Sequence, residues 1–288
     1  MTRATLIRPP EPKQAQVITA CVKRRMLLSP SFARVTLMGE GLGRLERLGY
    51  DQWLRIFMPR SPLRREAVDE LRLPNVADPD WYSRYLHTPE EVRPHMRYVT
   101  VSALRRGHPA DLGAPEVDLD IVVHSEPDAG GRSPLSTWAQ TAEPGDEVGV
   151  LDQGLIFRPD HGADAVLLIG DETAVPAISG ILRSLPHNAR GHALIEVAGS
   201  RDIQALTGPE GVEVKWITRS RSKALPGDIV ALAARDILRG GVGRPYVYAA
   251  GESRLTGALG MTLREELAWP KHLFTLVGYW HDSGRERG

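Results

Sequence analysis

Near residues 157–163 the apolar residues of this 288-residue chain change their spacing. Before that point they form short runs between turn residues: 16–23, 33–38, 53–58, 97–103, 117–124 and 146–151. Val117, Leu119, Ile121 and Val123 alternate with polar residues, the pattern of a strand with one buried face. Six such strands predict a small antiparallel β-barrel. After Pro159, His161 and Gly162 the pattern becomes continuous apolar runs, as at 165–169, alternating with helical spacing, as at 177–185, 227–238 and 255–267. Runs of that kind suit strands buried on both faces of a parallel sheet, and the alternation of strand and helix implies right-handed crossovers. The expectation is two domains, 1–159 and 160–288: a six-stranded antiparallel barrel, then an open parallel α/β sheet. Residues 61–96 interrupt the barrel pattern as a long polar, proline-containing loop with a helical turn, and long ordered loops are often functional.

Composition narrows the chemistry. The single cysteine, Cys21, cannot by itself form an internal disulfide or hold a zinc or iron–sulfur site. Redox chemistry would need a bound organic cofactor or a metal carried by the substrate. Lys+Arg and Asp+Glu balance at 36 each, which argues against a nucleic-acid coat. Residues 1–60, however, hold eleven cations against four acids: either a solvated basic face or a positive field for an anionic ligand. No run approaches a membrane span and the start carries no signal peptide. With the lone cysteine, the cytoplasm is expected.

Five segments are candidates for chemistry. Arg97-Tyr98-Val99-Thr100 follows the long loop on a strand, where residues i and i+2 share a face; it is an anion and ring-edge site or an edge strand. His124 through Trp138 contains Ser136, a helix cap beside an anion site or a plain N-cap, with Thr137 and a core Trp138. Gly170-Asp171-Glu172-Thr173-Ala174-Val175-Pro176 lies between the first α/β strand and its helix, where open sheets bind ligands. Thr173 is the expected cap, and the two acids oppose a phosphate's charge. Ser200-Arg201 follows the second α/β strand, where an Arg accommodates a 2′-phosphate, with Arg219 and Arg221 as possible helpers. Gly251-Glu252 ends a strand, and Tyr279-Trp280 closes the last one as a ring cover or a core plug.

Together these segments resemble the siderophore-interacting proteins, a branch of the ferredoxin–NADP reductase-like superfamily, over about residues 15–281. The most specific pieces are Gly170–Ile178, Ala250–Glu252 and Gly278–Trp280, with Glu91–Arg97, Trp138 and Pro144–Asp146 in support. The resemblance implies FAD in the barrel, NADPH (or NADH) in the α/β domain, and reduction of Fe(III) in a ferric siderophore. It implies no general acid or nucleophile. Arg97 and Thr100 match the family's flavin motif; its tyrosine position holds Val99, with Tyr98 one place earlier, and its last arginine position holds Ser102. His124, Ser136, Thr137 and Trp138 map onto the FAD phosphate region, and Arg55 and Arg132 onto the chelate site.

Asp171, Glu172, Thr173, Ala174, Ser200, Arg201, Gly251, Glu252, Tyr279 and Trp280 are the remaining cofactor candidates. Arg201, and the eight residues after Trp280, predict NADPH rather than ferredoxin as donor. A monomer without nucleic-acid partner is expected. Alternatives are a flavin reductase of another acceptor and a cofactor-poor carrier of ferric chelate.

Overall fold

A computed structural model describes residues 16–60, 73–107, 113–123, 133–159, 165–220, 222–241 and 243–281. The described chain divides into two compact units. The first holds residues 16–48 and Gln52–Leu155; the second holds Gly49–Asp51 and Ile156 onward.

In the first unit, β1 (Val17–Ser29), β2 (Phe32–Met38), β3 (Trp53–Met58), β4 (His95–Arg105), β5 (Glu116–Val122) and β6 (Glu147–Asp152) close a barrel in the order β1-β2-β5-β4-β3-β6. Every pairing is antiparallel. The alternation in β5 works as expected on its inner face, where Val117, Leu119 and Ile121 join the core. The outer face is less ordinary, because Asp118 is buried there. Thr36 Oγ1 donates to it at 2.8 Å, and Arg105 donates at 2.6 and 2.7 Å. Burial alone would raise the Asp118 carboxyl; the Arg105 and Thr36 bonds outweigh it and hold it below its ordinary value. Arg34 grips Asp120 at 2.6 and 2.7 Å, and Lys23 and Arg105 pair with Glu116. Three of the eleven N-terminal cations, Lys23, Arg24 and Arg34, are therefore paired along β5 rather than left as an open field.

Two helices attach to this barrel. α1 (Trp81–His87) rises from the long insertion, and Phe57 meets the edges of Trp81 and Tyr85 at 6.5 and 6.0 Å between ring centroids. α2 (Pro134–Thr141) sends Trp138 and Ala139 into the core.

The second unit is a five-stranded parallel sheet of β7 (Val166–Gly170), β8 (Gly191–Val197), β9 (Val212–Thr218), β10 (Tyr246–Glu252) and β11 (Phe274–Trp280). Its helices are α3 (Val175–Ser184), α4 (Asp228–Arg239) and α5 (Ser253–Met261). The expected helix at 255–267 is shorter than its apolar pattern, because the α-turns give way at Met261 to a π-helical turn over Thr262–Glu266. The strand order β11-β10-β7-β8-β9 makes β7 the point where the chain reverses its progress across the sheet. Open α/β sheets bind ligands at the carboxyl ends of strands flanking such a point. All five residues of β7 are buried, which accounts for its unbroken apolar run.

Asp51 anchors the start of the second unit. Its buried carboxylate accepts the N–H of Phe157 at 2.9 Å and of Ile156 at 3.3 Å. Phe157 packs among Tyr50, Tyr246 and Tyr248. Burial pushes the Asp51 carboxyl up to about 6.

Candidate functional site

On the barrel, β3 and β4 pair so that Arg55 faces Tyr98 and Trp53 faces Thr100. Val99 turns inward and is 7% exposed, whereas Tyr98 is 50% exposed. This corrects the expected placement: Tyr98 and Thr100, not Arg97 and Val99, share the outer face with Arg55 and Trp53. The displaced tyrosine of the sequence motif thus stands on the outer face, and Val99 serves the core. Ser102 sits at a register shift in β4, its Oγ accepting the Asp120 N–H at 3.1 Å.

The Arg55 guanidinium lies 5.1 Å from the Trp81 ring centroid, 5.4 Å from Tyr82 and 5.6 Å from Tyr98. Cation–π attraction holds it there. Among the described residues its buried Nε has no hydrogen-bond partner and the side chain forms no ion pair. Among the described residues Arg55 is therefore a cation held by rings with no acid paired to it, a setting that favours an anionic ligand. Sequence reasoning found Arg55 but missed Trp81 and Tyr82. Their signal was the spacing Trp81-Tyr82-x-x-Tyr85 within an otherwise polar segment, which places aromatics on neighbouring faces of one helical turn.

The phosphate candidates lie partly in view. Arg97 is exposed, and among the described residues its guanidinium donates to the carbonyl of its neighbour Met96 at 2.8 Å. α2 begins at Pro134, so its N-cap is Ser133 and not Ser136 as expected. Proline suits the first helical position and starts the helix early. Ser136 Oγ instead accepts from Gln140 at 3.2 Å. Thr137 Oγ1 and Trp138 Nε1 are buried without a hydrogen-bond partner among the described residues. Buried polar atoms in that state are uncommon and point to a missing ligand or water. A flavin dinucleotide fits these features: a ring edge at Tyr98 and Thr100, and anionic groups at Arg97 and the start of α2. His124, Arg132 and Arg221 lie outside the described residues.

In the α/β unit the two unexpected acids are held internally. Asp171, buried beyond the end of β7, accepts from the N–H and Oγ1 of Thr173 at 2.8 and 2.5 Å. It is thus Asp171 that caps the short 3-10 turn Glu172–Ala174, and Thr173 is a donor to it, not the cap. Burial, with the charge of Glu172, pushes the Asp171 carboxyl up to about 6. Glu172 is ion-paired with Arg219 at 2.6 Å, and Arg219 reaches Glu196 at 3.0 Å. Glu196 in turn accepts the N–H groups of Gly227 and Val230. Arg219 is therefore occupied, which corrects its expected role as a helper at a 2′-phosphate. Ala174 is fully buried, and Pro176 occupies the first turn of α3 as expected.

Glu252 is buried too, with Arg254 and His281 as partners. Gly251 has φ +138°, and a Cβ there would lie 2.5 Å from an Asp171 carboxylate oxygen. Tyr279 bonds Tyr248 through their hydroxyls at 2.9 Å. Ser200 and Arg201 form an exposed 3-10 turn after β8, and Arg201 makes no ion pair among the described residues. Among the described residues it is an open cation after β8.

Residues 21–155 match the siderophore-interacting FAD-binding domain, and residues 163–283 match the siderophore-interacting protein family. The ferric vibriobactin reductase ViuB of Vibrio cholerae is 30% identical over 270 residues, 91% of this chain and 89% of that protein. An uncharacterized protein of Mycobacterium tuberculosis is 34% identical over 203 residues, 70% of this chain but 65% of its own length. Among solved structures, the siderophore-interacting protein SipS from Aeromonas hydrophila matches with TM-score 0.67 at 26% identity, covering 93% of this chain and 99% of that one. A siderophore utilization protein from T. fusca matches with TM-score 0.68 at 27% identity, covering 99% and 98%. The Amycolatopsis cytochrome P450 reductase GcoB shares the fold at 15% identity with TM-score 0.59, covering 94% of this chain and 71% of that one. The barrel, the parallel sheet and these matches agree: the chain belongs to the siderophore-interacting protein family.

Proposed function

We propose that this protein is an FAD-dependent reductase of ferric siderophores that takes electrons from NADPH and acts in the cytoplasm. The observation that carries the reading is Arg55, a cation ringed by Trp81, Tyr82 and Tyr98 and paired with no acid among the described residues, on the outer face of a barrel that matches an FAD-binding domain. An anionic ferric chelate is drawn to such a site by charge and held by ring contact. Tyr98 and Thr100 would orient the flavin ring, while Arg97, Thr137 and the start of α2 would hold its phosphates. When bound, the flavin converts a two-electron hydride donor into single-electron steps to Fe(III).

In the α/β unit, Arg201 would pair with the donor's 2′-phosphate, and the carboxyl ends of β7 and β10 would receive its nicotinamide half. His124 and Arg132 remain candidates for the FAD phosphates and the chelate. Among the described residues no helix is long and apolar enough to cross a membrane.

The test is an absorbance spectrum. Purified protein should be yellow, bleach on anaerobic NADPH, and recover its colour when a ferric chelate is added with a ferrous-specific indicator. A flavin that NADPH and NADH both leave oxidised would refute the donor assignment. A protein that reduces free flavin or dyes but no ferric chelate would be a reductase of another acceptor. A colourless protein that binds ferric chelate would be a carrier.

A further inference from the structure

The carboxylate of Asp171 ties together three strand ends. Beyond its two bonds to Thr173, its Oδ2 accepts the backbone N–H of Glu252 at 2.7 Å and the indole Nε1–H of Trp280 at 3.0 Å. One donor ends β10 and the other ends β11. The approach is possible because residue 251 has no side chain in the way. Trp280 is fixed a second time through its carbonyl, which accepts from Ser253 Oγ at 2.8 Å. Its indole is thus held by a buried acid, in contrast to Trp53 and Trp138, whose buried Nε1 atoms have no partner among the described residues.

We propose that Asp171 is a positioning residue for Trp280, fixing the plane of its half-buried ring at the switch point of the sheet so that the ring forms one wall of the electron-donor site. The role in donor binding rests on reading the α/β unit as the NADPH domain; the hold on the indole does not. Asp171 need not touch the donor to affect it. Its acid is matched to the task because four donors converge on it, which an amide oxygen could not satisfy equally.

The arrangement is also sensitive to protonation. A proton on Asp171 competes with the donors for its lone pairs. The charged groups around it are Glu172 on its own turn, paired with Arg219, and Glu252 on β10, paired with Arg254 and His281. Burial and the Glu172 charge both favour the protonated form. Acidification into the region of pH 6 therefore loosens the indole.

The experiment uses the full chain with ¹⁵N-labelled tryptophan. The six indole N–H signals are recorded from pH 8 to 5, and W280F identifies one of them. The Trp280 signal should move with a midpoint near the Asp171 transition, and D171N should displace it and abolish its pH dependence. A Trp280 signal that D171N leaves in place overturns the proposal. Should D171N not fold, ¹³C-labelled aspartate in W280F gives the same answer from the other side: losing the indole donor should raise the Asp171 transition, and an unchanged transition overturns the proposal.

Kinetics then separate the two layers. D171N and W280F should each raise KM for NADPH several-fold with a smaller change in kcat, and the double variant should be no worse than W280F. Additive losses would show that Asp171 acts on its own and overturn the wall role. Normal indole behaviour with no response to any nicotinamide donor would leave the hold intact and refute the donor reading instead.

Discussion

Glu172 and Arg219 meet in a two-point ion pair, the guanidinium nitrogens 2.6 and 2.7 Å from the two carboxylate oxygens. Both side chains are only 12% exposed. Removing one partner of such a pair strands a charge and costs about 3–5 kcal/mol. R219A should therefore lower stability by an amount of that order, read as a shift in the urea midpoint. A variant with unchanged stability but impaired NADPH binding would return Arg219 to the nucleotide site.

Arg201 is the contrasting case, exposed and without an ion pair among the described residues. R201A should leave stability near that of the parent, since surface substitutions usually have small effects. It should raise KM for NADPH more than for NADH. Equal effects on the two donors would remove Arg201 from the 2′-phosphate.

The rings around Arg55 predict how acceptor binding fails. A hydrogen bond to a charged group contributes about 1.5–3 kcal/mol, so R55A should weaken an anionic ferric chelate by roughly tenfold or more. W81A should weaken it less, through lost ring contact. Turnover with a small neutral dye should change little in either variant. Parallel losses with dye and chelate would mean that the cluster supports the barrel and not the acceptor.

Acid acts in opposite directions on two sets of carboxyl groups. Asp51 and Asp171 are raised to about 6, chiefly by burial, with Glu172 adding to the second. Each binds a proton in the folded state at a pH where the unfolded chain has lost it. Their contribution is complete below the ordinary aspartate value and is lost as pH rises through about 6. Asp118 and Glu116 are held below their ordinary values, so their contribution is present above those values and is lost only as pH falls through the depressed range. Urea unfolding followed from pH 7 to 5 should show a gain in stability from Asp51 and Asp171. D51N should flatten that gain; a wild-type slope in D51N would contradict it.

Much of this architecture was legible in the residues. Alternation in β5 and unbroken apolar runs in β7 are direct consequences of one-sided and two-sided burial. α1 was harder, because its aromatics sit in a polar segment and pack on Phe57 of β3, which lies across the long insertion in sequence. The face assignment in β4 was misread by one residue, since a four-residue run does not reveal which side points inward. Only the pairing of Leu54 with Val99 and of Arg55 with Tyr98 decides that. The acids at 171 and 172 looked unfavourable beside a phosphate because their partners, Trp280, Glu252 and Arg219, come from three other strands.

The ion pairs along β5 bear on how a ligand first arrives. Lys23, Arg24 and Arg34 spend their charge on Glu116, Asp118 and Asp120 within a few ångströms. Fields from such pairs largely cancel at a distance, so they add little long-range pull on an approaching anion. If an anionic chelate docks at Arg55, the dependence of its association rate on ionic strength should come from that cation and not from the β5 pairs, and R55A should reduce it. The β5 cations thus serve the barrel wall, and long-range attraction has to come from charges elsewhere.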